Sequence, residues 1–160
     1  LYILQDHQGY VEISPLLCFC CIANALAPLC DSTLTISLGD IPSFKLFESD
    51  KVFAFLDIQP LSKGHALVIP KFHGRTLTDI PDDSLSEILS TAKKIATATG
   101  CENYNILQNN GRLAHQEVDH VHFHMIPKPN EKEGLGIGWP AQKMDMEELK
   151  KYFGEVKSKM

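Results

Sequence analysis

His120-Val121-His122-Phe123-His124, the pentapeptide HVHFH, decides how this chain is read. Three of its seven histidines alternate there with apolar residues. On an extended strand successive side chains point to opposite faces. The alternation therefore puts His120, His122 and His124 on one face, about 6–7 Å from one to the next. Val121, Phe123 and Met125 take the other face, the one expected to meet the core. A slip of one residue would bury three imidazoles, so the register is well specified.

Outward from the pentapeptide, VDHVHFHMIP (118–127) reads as a strand that ends at its proline. NYNILQN (103–109) reads as the strand before it, with Asn110-Gly111 opening the loop between them. Asp82-Asp83-Ser84, behind Pro81, starts a helix that Gly100 stops. Its apolar face is Leu85, Ile88, Leu89, Ala92, Ile95 and Ala96. FKLFES (44–49), KVFAFLDI (51–58) and HALVIP (65–70) read as three earlier strands, and 145–158 as a last helix. Strand-strand-strand-helix-strand-strand with short connections predicts an α+β fold. Its sheet is mainly antiparallel and five-stranded, with one long helix and a C-terminal helix.

The composition narrows the functions available. A chain of 160 residues suffices for one domain with a real core. Its net charge of −5 argues against broad electrostatic binding to nucleic acid or to an anionic membrane. LLCFCCIANALAPLC (16–30) is the most apolar run, but it is short for a span and holds Asn24 and Pro28. Five cysteines, four of them within the first thirty residues, do not make a disulfide framework. They indicate free thiols in a reducing compartment, here the cytoplasm, with the nucleus as a second location.

Three chemistries fit an imidazole row. It can be a solvated face, which strict alternation makes the weakest choice. It can be a metal site, since a His-x-His pair offers neutral imidazoles to zinc. It can act directly on a phosphate. One imidazole then attacks as a nucleophile while its neighbours hold anionic oxygens. Asn109, Asn110 and Gly111, at the end of the neighbouring strand, could add amide and backbone donors.

HVHFHMI follows the pattern His-φ-His-φ-His-φ-φ, with φ apolar. It comes with FLDIQP, GHALVIPKFH and NNGRLAHQEVDHVHFHMIPK, in that order. Together these segments resemble the histidine triad (HIT) family of nucleotide hydrolases and transferases, over about residues 39 to 140. The tail GLGIGWPAQKMD makes the chain most similar to the fungal nucleoside phosphoramidase branch. The resemblance implies a HIT-like fold that dimerises through its sheet. It implies hydrolysis of purine nucleoside 5'-phosphoramidates through a covalent nucleotidyl-histidine. The alternatives are a dinucleoside polyphosphate hydrolase and a nucleotide-binding regulatory protein with little turnover.

Residue by residue, the resemblance makes His122 the nucleophile and gives His124 a phosphate oxygen. His120 holds the His122 imidazole in its reactive tautomer, and His73 is a fourth histidine near the site. Asp57 takes the ribose hydroxyls. Asn109 and Gln116 lie near ribose and phosphate, and Ile41, Phe55 and Ile58 surround the base. The partners implied are a purine nucleotide and a second copy of the chain, without nucleic acid or membrane. No cofactor is required for catalysis. A structural zinc on Cys18, Cys21 and His73 is not expected, because the cysteines lie some twenty residues before IPSF, where the family has a much shorter gap. Residues 1–38 diverge from the family pattern, as a mispredicted exon would, and the HIT domain is expected over 39–160. Glu117 stands where many phosphoramidases carry a serine, which bears on the leaving group.

Overall fold

The computed structural model describes residues 44–160. The segment 1–38, with Cys18 and Cys21, and Ile41 lie outside the described residues. Five strands form one sheet: β1 (Phe44–Glu48), β2 (Val52–Leu56), β3 (Ala66–Pro70), β4 (Tyr104–Gln108) and β5 (Phe123–Pro127). The order across the sheet is β1-β2-β3-β5-β4. Every neighbouring pair is antiparallel, as the short connections require.

Residues directly opposite each other in an antiparallel pair share a face. One rung runs Phe55, Leu67, His124, Leu107 across four strands. The next runs Ala54, Val68, Phe123, Gln108 on the other face. The second face carries the main core. Val52, Ala54, Ala66, Val68 and Met125 pack there against Ile88, Ala92, Ile95 and Ala96 of a helix. Burying a side chain such as Ile88 contributes about 1.5–3 kcal/mol. The first face holds a smaller cluster, Phe53, Phe55 and Ile69 with Leu67 beside it. That cluster floors the site.

The helix expected over 82–99 forms as two pieces, α1 (Asp82–Leu85) and α2 (Ile88–Thr99). At the break Ser86 Oγ donates to Asp83 O, and Glu87 accepts from Ser49 Oγ at 2.7 Å. Side-chain bonds of this kind compete with the helical ladder. Gly100 stops α2 in the left-handed region at φ 66°, where glycine carries no Cβ penalty. A last helix, α3 (Met146–Lys157), is capped by Asp145, whose side chain accepts from Glu147 N.

The strand expected over 118–127 is regular only from Phe123. Its earlier backbone has other partners. Val121 N donates to Gly74 O at 2.9 Å, and Gln116 O and Glu117 O both accept from Arg112 Nη1. β4 also ends opposite Phe123, so the ladder has no strand to continue on. His124 is thus in the sheet, whereas His120 and His122 lie in the lead-in to it, where the chain bends over Val118–His120.

Candidate active site

Three lead-ins converge above the first sheet face: the β2–β3 turn, the segment after β3, and the residues before β5. They bring five histidines together. His122 and His124 stand edge to face, with ring centroids 4.9 Å apart. His65, at the entry to β3, places its Nε2 2.9 Å from His124 Nδ1. His73, just beyond β3, places its Nδ1 3.0 Å from His120 Nδ1. His65, His120 and His122 are buried.

Backbone groups assign the tautomers, because a carbonyl can only accept and an amide N–H can only donate. His122 Nδ1 lies 2.7 Å from His120 O, so Nδ1 carries the proton and Nε2 the lone pair. The group that orients His122 is therefore the carbonyl of His120, not its imidazole. The His120 imidazole donates from Nε2 to Pro70 O at 2.9 Å and accepts at Nδ1 from His73. On the other branch Leu61 N donates to His65 Nδ1 at 3.2 Å. His65 Nε2 then donates to His124 Nδ1, which leaves His124 Nε2 as an N–H donor. The site thus offers one imidazole lone pair, on His122, beside one imidazole N–H, on His124.

The His65 and His124 rings are both held neutral. Burial, with the neighbouring His122 and His65 rings, pushes His124 down to about 4. Burial also lowers His65, against the pull of the Asp57 carboxylate. Asp57 accepts from Gln59 N at Oδ1, 2.8 Å, and turns Oδ2 to within 3.5 Å of His65 Nδ1.

The remaining candidates divide. Phe55 is buried in the floor, and Ile58 is 76% exposed at its edge. Asn109 donates to His115 O at 3.3 Å, which ties the end of β4 to the loop that leads to the histidines. The Gln116 amide has a different duty from the one expected. It is 1% exposed. Its Oε1 accepts from Gly111 N at 2.6 Å, and its Nε2 donates to Arg75 O and Val118 O at 2.5 and 2.9 Å. It fastens three backbone segments around the site rather than facing a nucleotide. His65 is the residue that sequence reasoning did not assign to the phosphate chemistry. It reaches His124 only through the pairing of β3 with β5. The available signal was a histidine at a strand entry.

Asp57, His65 and His124 are also a group among the described residues whose donor atoms gather within 4.8 Å, as a metal site needs. Two nitrogens on one tetrahedral zinc stand about 3.3 Å apart, given Zn–N near 2.0–2.1 Å. The 2.9 Å between His65 and His124 is a proton-sharing distance. The same holds for His73 and His120 at 3.0 Å.

A buried imidazole lone pair beside an imidazole N–H, on an antiparallel α+β sheet, is an arrangement able to act on an electrophilic centre that carries an anionic oxygen. The HIT domain model matches residues 39–131, and the chain belongs to the HIT family. It is 56% identical over 122 residues to "Adenosine 5'-monophosphoramidase HNT1" of Saccharomyces cerevisiae, covering 76% of this chain and 77% of that one. It is 57% identical to the Schizosaccharomyces pombe protein of the same description, covering 76% and 92%. Its fold superposes on the crystal structure of a histidine triad nucleotide-binding protein from Candida albicans with a TM-score of 0.78. That match has 49% identity and covers 81% of this chain and 96% of the other.

Proposed function

We propose that this chain is a nucleoside phosphoramidase, hydrolysing purine nucleoside 5'-phosphoramidates of the adenosine 5'-monophosphoramidate type. The observation that carries the mechanism is the His122 tautomer, with Nδ1–H fixed on the His120 carbonyl and the lone pair at Nε2. Nε2 attacks the α-phosphorus, and the P–N bond breaks with its electron pair on the departing nitrogen. The new nucleotidyl-imidazolium keeps its Nδ1–H on the carbonyl dipole, which stabilises the developing positive charge. His124 Nε2–H lies beside the attacking ring, placed to bond a phosphate oxygen, and the leaving amine takes its proton from solvent. Water then attacks phosphorus, the P–N bond to His122 breaks, and the nucleoside monophosphate leaves. The lowered His65 and His124 stay neutral at neutral pH, so His124 acts on the phosphate as a hydrogen-bond donor.

In this reading Phe55, Ile58 and Ile41 contact the base, Asp57 the ribose, and Asn109 the region between ribose and phosphate. His73, on the outer side of His120, supports that ring. The reaction as written requires no metal. The active species is a homodimer in the cytoplasm, with the nucleus as a second location, and its partner is a purine nucleotide rather than a nucleic acid or a membrane. No described helix is long and apolar enough to cross a membrane.

The test is release of amine from a fluorogenic adenosine phosphoramidate, with excess chelator, by the wild type and by His122→Ala. Chelator-resistant turnover that the substitution abolishes supports the proposal. Nucleotide binding without turnover by the wild type would instead mark a binding protein and overturn it.

A further inference from the structure

α3 (Met146–Lys157) is a 12-residue helix in which no residue is buried. A helix of that length is marginal in water by itself, and packing of an apolar face is what holds such helices in proteins. Gly154 in its interior weakens it further. α3 has an apolar face to offer. Leu149, Tyr152, Phe153 and Val156 recur at i, i+3, i+4 and i+7, and Tyr152 and Phe153 are 61% and 65% exposed. The helical repeat sets Glu148 and Glu155 along one edge of that face, and Lys150 and Lys157 along the other.

The domain carries a surface of matching chemistry. A groove of about 360 Å³ opens between β1 and α2, lined by Leu46, Phe47, Leu56, Ile95 and Ala98. Lys94 stands at its rim, its Nζ 5.0 Å from the centroid of the Phe47 ring. Among the described residues no carboxylate pairs with Lys94, and no cation pairs with Glu148 or Glu155. α3 does not lie in the groove of its own chain, because its apolar face is exposed. We infer that α3 docks in the β1–α2 groove of a second copy of this chain, with its Leu149–Val156 face on the groove and its Glu148–Glu155 edge toward Lys94.

Each chain has one such helix and one such groove. Two chains related by a two-fold axis satisfy both at once, each α3 in the other's groove, and the exchange closes at a dimer. An amphipathic helix laid in an apolar groove is a common recognition mode, with anchors at this spacing. The charged edges set the direction of the helix. One way round, Glu148 and Glu155 face the Lys94 ammonium; reversed, Lys150 and Lys157 would meet it and repel. The contact extends the proposed homodimer and uses none of the histidine chemistry.

The test uses the full-length chain. Light- and heavy-nitrogen-labelled protein, refolded together in equal amounts, is treated with a zero-length carbodiimide. Docking between copies predicts peptides that join Lys94 to Glu148 or Glu155 with one light and one heavy half. Halves that always share a label would put α3 in its own groove and overturn the inference. Cross-links from Lys94 to Asp31 or Asp40 instead would put the segment before β1 there, and would also overturn it. Sedimentation equilibrium gives a second readout. Leu149→Asp with Phe153→Asp should weaken the dimer by about 10-fold or more in its dissociation constant. These side chains are exposed, so the domain stays folded. Lys94→Glu should weaken it too, and Glu148→Lys with Glu155→Lys in that background should restore it. An unchanged dissociation constant in the apolar variant, or a charge reversal that rescues nothing, overturns the docking. A wild type inactive on phosphoramidates would sink the catalytic reading alone and leave the cross-links to judge this one.

Discussion

His122 has one proton, and its own chain decides where that proton sits. The carbonyl two residues back takes Nδ1–H, so in the neutral ring the lone pair lies at Nε2 before any substrate arrives. His122→Ala should lower kcat by about 10³-fold or more, with nucleotide affinity little changed, as for removal of a covalent nucleophile. Single-turnover kinetics beside equilibrium binding of the nucleoside monophosphate checks the split. Gln116→Ala leaves the half-buried Gly111 N–H without its acceptor and two carbonyls without their donor. A cost of about 1–3 kcal/mol is expected, read from denaturant unfolding, together with slower turnover. The alternation in HVHFH made the triad legible without coordinates. His65 was not, because it meets His124 across 59 residues of sequence through strand pairing. Nor did the sequence show whether a side chain or a carbonyl of His120 orients His122.

At the scale of elements, the site depends on how strands enter and leave the sheet. The strand positions were legible because alternation, prolines and glycines mark them. Both misread boundaries, at Ser86-Glu87 and at Phe123, lie where side chains and distant loops take over backbone hydrogen bonds. Gly74 is one such contact point, its carbonyl accepting from Val121 N beside the triad. A Cβ there would sit 2.3 Å from Ile80 Cδ1. Ile80 is buried, so it has little room to yield. Gly74→Ala should therefore cost about 1–3 kcal/mol and shift the segment carrying His73. The checks are thermal denaturation and kcat. Gly100→Ala meets open space but must hold φ 66°. It should cost about 1 kcal/mol with kcat unchanged, since α2 ends on the face away from the histidines.

The whole molecule is a two-faced sheet, with the helix core on one side and the histidines on the other. That division couples fold stability to the site's protonation. His124 titrates near 6.5 in an unfolded chain and near 4 when folded. Between those values the unfolded chain binds a proton that the folded site refuses, so stability falls as pH drops from 6.5 toward 4. His65 acts in the same direction. The melting temperature should decline over that window, and His124→Gln should flatten the decline. The other end of the chain contributes little to the core. α3 buries no residue, and Met146, Leu149, Tyr152 and Phe153 stay exposed along it. Its amphipathic pattern was readable in the sequence, but what the apolar side faces was not, because periodicity reports a face and not its partner.

A covalent bond from phosphorus to one nitrogen, His122 Nε2, is what separates the proposed mechanism from every other use of the site. The most direct measurement is mass spectrometry of the enzyme quenched in acid-free conditions during turnover of an adenosine phosphoramidate. The account predicts one added adenylyl group on the peptide containing His122, absent from His122→Ala. An adenylyl group on another residue, or full turnover by His122→Ala, would contradict it.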